Sequence, residues 1–207
     1  MTDVTLYGFA PSSFTWTARI ACEEKGISHD LEPVEFGSDA HKGLHPFAKI
    51  PILKHGDLVI YETAAICQYI DQAFDGPSIT PADPALRARM IQWISNFNDY
   101  FYDYCTRKII IQRLVVPQRG GTPDEEMIAA AVPHARHAMT VADAALERAP
   151  YLAGSDPSTA DFFLTPVAFY MRSVAEGDAI MGDLSALNDW LDRMSSRPSV
   201  TATAPVS

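Results

Sequence analysis

HPFAKIPILKHGDLVIYETAAICQYI, residues 45–70, is the stretch that decides the fold of this chain. Residues 50–53 form a short apolar run, and the turn signal KHGD separates them from a second apolar run at residues 58–61. This pattern predicts two short antiparallel strands joined by a tight turn. Pro51 has no N–H group, so we expect it at a strand start or an edge, where the backbone of Ile50 stays free to pair with an extended segment.

A helix is predicted directly after the second strand. Glu62 and Thr63 precede apolar residues that recur at helical spacing, namely Ala65, Ile66, Tyr69, Ile70 and Phe74. The first turn of a helix has unpaired N–H groups and carries a partial positive charge. The start of this helix is therefore suited to a carboxylate ligand.

The preceding residues predict a βαβ unit. Residues 3–7 form a first strand, the loop GFAP follows, and residues 12–22 have a helical pattern that ends near Gly26, which suits a left-handed C-cap. Residues 28–35 form the next strand. With the deciding stretch, the predicted order is β-α-β-α-β-β-α, in which the second α is a loop or a short helix.

The residues after the deciding stretch predict a linker and two long helices. Residues 75–84 are rich in turn formers, and Asp83 followed by proline is typical of a helix start. The helix that begins there runs to about residue 116. TPDE at residues 122–125 has the pattern of a capping box, and it opens a helix to about residue 148 that Pro133 is expected to kink.

The C-terminal part predicts two more helices. An S-x-x-D box at residues 158–161 opens a helix that is apolar on nearly every side, so this helix is expected at the centre of a helical domain. A last helix covers residues 184–194. The tail TATAPVS, residues 201–207, is expected to be mobile.

The composition disfavours several classes of function. Sixteen basic and 26 acidic residues give a net charge of −10, which disfavours nucleic acid as a partner. The longest apolar stretches are far shorter than a bilayer span, and the N-terminus has no secretory signal pattern. Three widely spaced cysteines argue against a disulfide framework and a zinc site and are typical of a reducing cytoplasm. We therefore expect a cytoplasmic protein without a metal or a membrane partner.

Three motifs resemble the glutathione S-transferase family. They are KIPIL followed by an acidic and a hydroxyl residue at a helix start, the loop SSFTWTARIA at residues 12–21, and LAG followed by S-x-A-D at residues 152–161. The resemblance covers essentially the whole chain and implies an α/β plus all-α fold. The implied domains are a thioredoxin-like glutathione-binding domain (1–76), a linker (77–84) and an all-helical bundle (85–207).

The resemblance implies that a serine at the start of the first helix is catalytic. SSFTWTARIA is most similar to zeta-class enzymes and more loosely to phi- and theta-class enzymes, all of which use a serine beside the glutathione sulfur. Ser12 would carry this role, with Ser13 as the alternative, whereas Tyr7 more simply ends a strand. A hydroxyl that donates to the sulfur favours the thiolate, and a helix N-terminus adds to the effect. Taken alone, Ser12 is better explained as an N-cap, and the other motifs are what favour the contact with the thiol.

The resemblance also assigns residues to glutathione itself. The backbone of Ile50, before a cis Pro51, would pair with the cysteinyl part of glutathione. Glu62 and Thr63 would hold its γ-glutamyl end, with Thr63 in place of the more common serine.

Two further sets of contacts are expected. The glycyl carboxylate would meet Lys49, or else His41 or Lys42 from the loop after the second strand, although a solvated surface charge explains each of the three as well. The pocket for the second substrate would be lined by aromatic residues, whose spacing is also typical of a helical core: Phe9, Tyr100, Phe101 and Tyr104.

The implied function is conjugation of the glutathione thiolate to a small electrophilic, partly apolar compound. A glutathione-dependent isomerase of the maleylacetoacetate type and a peroxidase or disulfide reductase remain alternatives, although Phe14 stands where zeta-class enzymes have a cysteine. A non-catalytic protein that binds glutathione or a hydrophobic ligand is the alternative from another class. The resemblance alone implies a homodimer.

Overall fold

The computed structural model describes residues 4–205. The chain divides into two compact units, Met1–Thr80 together with Ser196–Ser207 and Pro81–Ser195, which we call unit 1 and unit 2. Unit 1 contains the only sheet among the described residues, and unit 2 is helical. The predicted second domain extended to residue 207, whereas the structure joins the last segment to unit 1.

Unit 1 is built on four strands, β1 (Val4–Tyr7), β2 (Asp30–Glu32), β3 (Ile52–His55) and β4 (Leu58–Tyr61). Their order in the sheet is β2-β1-β3-β4, with β1 parallel to β2 and antiparallel to β3. β3 begins after Pro51 and not before it, because proline has no N–H to donate to the ladder. The predicted start of the first strand, Asp3, lies outside the described residues.

Three helices complete the predicted order in unit 1: α1 (Ser13–Glu24), α2 (Asp39–Leu44) and α3 (Thr63–Ala73). The order β1-α1-β2-α2-β3-β4-α3 confirms the thioredoxin-like prediction. Gly26, just past the end of α1, has a φ of 69°, as expected for a left-handed glycine. Of the loop and the short helix that the sequence allowed between β2 and β3, the structure thus contains the short helix.

Unit 2 begins with one long helical element. α4 (Pro84–Asn96) is capped by the side chain of Asp83 and continues without a break into a π-helical segment, Phe97–Val115. At its end the N–H of Val116 donates to the carbonyl of Ile111, five residues earlier, at 3.0 Å. The predicted helix to about residue 116 is therefore present, but its second half has the wider hydrogen-bond spacing.

After a 3₁₀ turn at Pro117–Arg119, four more α-helices follow in unit 2: α5 (Glu125–Leu146), α6 (Thr159–Ser173), α7 (Gly177–Met181) and α8 (Ser185–Ser195). α5 continues through Pro133 without a break. Its N-cap is Asp124, whose carboxylate accepts from the N–H of Met127 at 2.9 Å, so the predicted box that starts at Thr122 is not the one used. None of the helices in residues 4–205 is both long and apolar enough to cross a membrane.

The start of α6 is the predicted capping box. The fully buried Asp161 accepts hydrogen bonds from the N–H groups of Leu152 and Ser158, from the Ser158 hydroxyl and from Trp190 Nε1, at 2.9–3.1 Å. Burial raises the pKa of the Asp161 carboxyl above its ordinary value, and these four hydrogen bonds oppose the rise. α6 is buried along most of its length, so the prediction of a central helix is confirmed.

The last helix of the described chain, α9 (Pro198–Thr203), packs on α1 within unit 1. Trp16 Nε1 donates to Thr203 Oγ1 at 2.9 Å, and the guanidinium of Arg19 donates to the Thr203 carbonyl at 2.7 Å. The expectation of a mobile tail is therefore wrong for residues 201–203, because contacts with α1 hold them. Residues 206 and 207 lie outside the described part.

Candidate active site

The loops that carry the predicted site residues leave unit 1 at one edge of its sheet. Tyr7, at the end of β1, is opposite both Glu32, at the end of β2, and Ile52, at the start of β3. Ile52 in turn is opposite Tyr61, at the end of β4. The loops after β1, after β2, before β3 and after β4 therefore start or end side by side, and we call this the loop edge of unit 1.

Ser12 caps α1 at the loop edge. Its hydroxyl oxygen accepts from the N–H of Thr15 at 3.4 Å, and its own N–H donates to the carbonyl of Phe9 at 3.0 Å. The first turn of α1 has no acidic residue that would neutralise the helix dipole. Ser12 is half-buried, whereas Ser13 is buried, so the hydroxyl of Ser12 is the one that a ligand can reach.

Thr15 leaves an unused hydrogen-bonding group beside this cap. Its side chain is fully buried, and Oγ1 has no hydrogen-bond partner among the described residues. Oγ1 faces Gly8, where an added Cβ would lie 2.4 Å from it. Glycine is therefore required at position 8 for the turn from β1 to pass so close to α1.

The loop before β3 has an irregular backbone. The Ile50–Pro51 peptide bond is cis, as the resemblance implies, and Ala48 has a φ of 47°. Pro51 is buried and Ile50 is half-buried, while the Lys49 side chain is exposed. The backbone of Ile50 precedes β3 and takes no part in the ladder, so it is available to an extended ligand.

Glu62 and Thr63 lie where β4 passes into α3. Glu62 has φ 70° and ψ 117°, a conformation that costs a non-glycine residue about 1–3 kcal/mol and is enriched at functional sites. The side chain of Glu62 makes no cap hydrogen bond, and Thr63 is buried at the first helical position. Unlike α1, α3 thus begins without a side-chain cap, and its first N–H groups are suited to a ligand carboxylate.

His41 is buried, although the sequence predicted an exposed position. It was expected to reach a ligand carboxylate from an exposed loop, but its side chain is only 2% exposed. Nδ1 accepts from the N–H of Gly37 at 3.3 Å, and Nε2 lies 3.0 Å from the carbonyl oxygen of Lys49. Both ring nitrogens are therefore used within unit 1, whereas Lys42 and Lys49 are exposed.

His45 is a further residue of this loop that the sequence did not predict. Its ring is buried against Tyr61, with the ring centroids 4.5 Å apart, and its Nδ1 accepts from the N–H of Phe47 at 3.2 Å. Burial lowers the pKa of His45, and the charge of Glu62 opposes this shift. A neutral His45 thus fixes the turn that leads to Ile50. No pattern in the sequence distinguishes it from a surface histidine.

The residues predicted for the second-substrate pocket lie in both units. In unit 1, Phe9 is exposed at the loop edge and stacks on Phe36 at 5.4 Å; the sequence did not single out Phe36. In unit 2, Tyr100 is 55% exposed, and Tyr104 stacks on His134. Phe101 is buried against Phe97 and Trp93, which is the core position that its spacing also allowed.

The three cysteines are buried and form no disulfide among the described residues. Burial raises the pKa of Cys22 and of Cys105 to about 12 each, and it also raises the pKa of Cys67. No cluster of His, Cys, Asp or Glu in residues 4–205 is arranged to hold a metal ion. Thiol chemistry at this site would therefore depend on a thiol that a ligand brings.

Known proteins resemble both units. The profile of the glutathione S-transferase N-terminal domain matches residues 6–78, and that of the C-terminal domain matches residues 125–193. Glutathione S-transferase 3 of Zea mays is 31% identical over 168 residues, which cover 78% of this chain and 75% of the relative. The other plant relatives are likewise named glutathione S-transferases.

Solved structures give the same match over nearly the full length. Glutathione S-transferase-I bound with lactoylglutathione has a TM-score of 0.88 and 25% identity, covering 98% of both chains. The theta-class glutathione S-transferase of Xanthomonas axonopodis pv. citri, with glutathione bound, has a TM-score of 0.86 and 25% identity. The alignment covers 100% of this chain and 99% of that one.

Proposed function

Because the chain belongs to the glutathione S-transferase family, we propose that it binds glutathione at the loop edge of unit 1 and conjugates its thiolate to a small electrophilic, partly apolar compound. The observation that carries the proposal is Ser12, a half-buried hydroxyl at the N-terminus of α1. It lies on the same sheet edge as the cis Ile50–Pro51 bond and the uncapped start of α3.

The residues along this edge define one orientation for bound glutathione. The backbone of Ile50 pairs with the cysteinyl part, and the first N–H groups of α3, with the Thr63 hydroxyl, hold the γ-glutamyl carboxylate. The Glu62 carboxylate accepts from the γ-glutamyl ammonium group. The exposed Lys49 or Lys42 is left for the glycyl carboxylate, since the ring of His41 is already engaged.

Ser12 activates the thiol by hydrogen bonding and does not itself become the nucleophile. Its oxygen accepts from the N–H of Thr15 while its O–H donates to the sulfur, and the first bond polarises the second. A free thiol has a pKa of about 8.5, and lowering it by about two units requires ~2.7 kcal/mol in favour of the thiolate. One charge-assisted hydrogen bond together with a helix N-terminus can supply this amount.

The chemical step needs no further protein nucleophile. The thiol proton leaves to water, and the sulfur lone pair forms a bond to the electrophilic carbon while the leaving group departs with its electron pair. The stacked rings of Phe9 and Phe36 offer an apolar surface in unit 1 for such a compound. The high pKa values of the buried cysteines favour conjugation over a reaction that uses a protein disulfide.

The test is the ultraviolet difference spectrum of bound glutathione as a function of pH, which reports the thiolate directly. In the native protein and in Ser13→Ala, we expect the thiolate to appear with a pKa near 6.5. In Ser12→Ala, the pKa is expected to rise by about two units while calorimetry still detects glutathione binding. An unchanged titration in Ser12→Ala, or a shift in Ser13→Ala alone, would remove Ser12 from the mechanism.

The proposal includes a homodimer. Phe47 is 71% exposed in the loop before β3, and the edge strand β4 adds the exposed side chains of Val59 and Tyr61, which lie on one face of the sheet. Contiguous exposed apolar side chains mark interaction surfaces, and the occupant proposed here is a second copy of the chain. Sedimentation velocity of Phe47→Ser should show a monomer at concentrations where the native protein and Phe36→Ser are dimers. A dimer that persists in Phe47→Ser would exclude this surface.

A further inference from the structure

His41 connects two loops at the loop edge through its ring. It lies in α2, and its Nδ1 faces the N–H of Gly37, four residues earlier in the loop after β2. Its Nε2 lies 3.0 Å from the carbonyl oxygen of Lys49, in the loop before β3. Phe36 packs edge-on against the ring, with the centroids 5.3 Å apart. The ring is therefore held on three sides.

These contacts determine the tautomer of His41. The backbone N–H of Gly37 can only donate, so Nδ1 must be the acceptor and carries no proton. The proton of the neutral ring is then on Nε2, which donates it to the carbonyl oxygen of Lys49. If the proton were on Nδ1, two donors would face each other, the Nδ1–H of His41 and the N–H of Gly37. The carbonyl of Lys49 would then receive no hydrogen bond from His41.

The bond to Lys49 also orients the next residue. The carbonyl of Lys49 and the N–H of Ile50 belong to one planar peptide group, and in a trans peptide they point in opposite directions. The Lys49–Ile50 bond is trans, and β3 begins only at Ile52. Because Nε2 of His41 fixes the direction of the Lys49 carbonyl, it also fixes the direction of the Ile50 N–H, which points away from His41.

We infer that His41 is a positioning residue: its Nε2–H holds the Lys49–Ile50 peptide so that the Ile50 N–H faces the cysteinyl carbonyl of glutathione. The inference rests on the proposed function, in which Ile50 pairs with that part of the ligand. It replaces the expectation that His41 contacts the glycyl carboxylate. A buried ring that is engaged at both nitrogens has no donor left for a ligand.

Two substitutions test the hydrogen bonds of the two ring nitrogens separately. The amide of His41→Asn occupies the place of Nδ1, so it can still accept from Gly37 but does not reach Lys49. The amide of His41→Gln reaches the place of Nε2 and can still donate to the Lys49 carbonyl. We expect calorimetry to show glutathione binding about 5- to 10-fold weaker in His41→Asn, the effect of one net hydrogen bond. Binding to His41→Gln should stay within about 2-fold of native.

γ-Glutamylcysteine, which lacks the glycine, distinguishes positioning from direct contact. A positioning residue acts on the cysteinyl contact, so His41→Asn should weaken binding of γ-glutamylcysteine by the same factor as binding of glutathione. A residue that contacts the glycyl carboxylate would show its loss only with glutathione, and that result overturns the inference. Equal affinity of His41→Asn and native protein for both ligands also overturns it.

Nitrogen-15 spectra of the histidine rings test the tautomer of His41 in the native protein, so this test does not depend on whether the variants fold. They must show His41 with its proton on Nε2, and a proton on Nδ1 would overturn the inference. The amide signal of Ile50 should also shift when glutathione binds, less in His41→Asn than in His41→Gln. If the native protein does not bind glutathione at all, the proposed function fails as well, which is a different result from native binding that His41 substitutions leave unchanged.

Discussion

Ser12 and Ser13 show how one position along the chain separates two chemically identical side chains. Ser12 has the extended backbone of an N-cap, so its hydroxyl lies over the open end of α1. Ser13 is the first helical residue, and its side chain is buried inside unit 1. The cap reading and the catalytic reading of Ser12 are compatible, because a cap hydroxyl accepts with its oxygen and keeps its proton for a ligand.

Thr63 gives a prediction at the residue scale. Thr63→Val keeps the shape of this buried side chain but removes the hydroxyl that is proposed to donate to the γ-glutamyl carboxylate. Loss of a hydrogen bond to a charged group should weaken glutathione binding by about 10-fold, measured by calorimetry. Thr63→Ser retains the hydroxyl, so its affinity should stay close to native.

The truncated ligand cysteinylglycine is the control for Thr63. It lacks the γ-glutamyl group, so Thr63→Val and the native protein should bind it equally. A similar loss with cysteinylglycine, or an equal loss in Thr63→Ser, would mean that the substitution disturbs packing and that the hydroxyl has no role in binding.

At the scale of elements, α6 depends on its capping box. Removing the Asp161 carboxylate leaves buried donors on Leu152, Ser158 and Trp190 without an acceptor. Because each unsatisfied buried donor costs about 1–3 kcal/mol, we expect Asp161→Ala to lower the free energy of unfolding by at least about 3 kcal/mol in urea titrations. Asp156→Ala, at an exposed position five residues earlier, should change it by less than about 0.5 kcal/mol. Equal effects of the two substitutions would contradict this account.

A second element-scale prediction concerns the carboxylate that joins α1 to α9. Glu24 accepts two hydrogen bonds from Arg197, at 2.7 and 2.8 Å, and one from Ser199. Burial raises the pKa of Glu24, but these hydrogen bonds outweigh burial, so the pKa in the folded protein lies below its ordinary value. A carboxyl with a lowered folded pKa stabilises the protein above its unfolded pKa, about 4.3, and this stabilisation is lost as the pH falls through the folded pKa.

Glu24→Gln should therefore be less stable than the native protein by about 1–3 kcal/mol at pH 7. This difference should shrink as the pH falls below about 4, where the native carboxyl also becomes neutral. Urea titrations at several pH values measure it, with Glu23→Gln, the exposed neighbour, as the control. A difference that stays constant with pH would mean that the charge of Glu24 does not stabilise the contact.

The sequence predicted most elements because their hydrophobic periods and caps are local signals. The strand at residues 58–61, the Asp83 cap and the 158–161 box appear as predicted, whereas the strand before them is shifted and covers Ile52–His55. The sequence did not predict structure that depends on contacts between residues far apart in the chain. The small residues 201–203 carry no helical pattern, and contacts of Thr203 with Trp16 and Arg19, 187 and 184 positions away in the chain, hold them on α1.

The candidate site shows the same division. The family resemblance implied the roles of Ser12, Ile50, Glu62 and Thr63, which lie on neighbouring loops of the sheet. His41 was expected at the surface, because no local pattern records that the loop before β3 covers it. The contact of Phe9 with Phe36 likewise exists only because β1 and β2 pair in parallel and bring the loops after them together.

At the scale of the whole molecule, unit 1 is made from both ends of the chain. The segment after α8 returns to unit 1 and places α9 on the helix that carries Ser12 at its start. The contacts that stabilise α9 are thus made within unit 1, although α8, which ends at Ser195, belongs to unit 2. Units that open separately should exchange their amide hydrogens at different rates.

Hydrogen exchange of the native chain tests this division. Amides of residues 199–203 should exchange at the rate of α1, and amides of residues 185–195 at the rate of α5 and α6, although the two segments are close in sequence. Glu24→Gln sharpens the comparison, because it weakens a contact within unit 1 alone: exchange of α1 and α9 should accelerate together, by about 5-fold or more, while that of α8 stays unchanged. If α9 instead exchanged with α8 and did not respond to Glu24→Gln, its contacts with Trp16 and Arg19 would contribute little, and unit 1 would end at the linker.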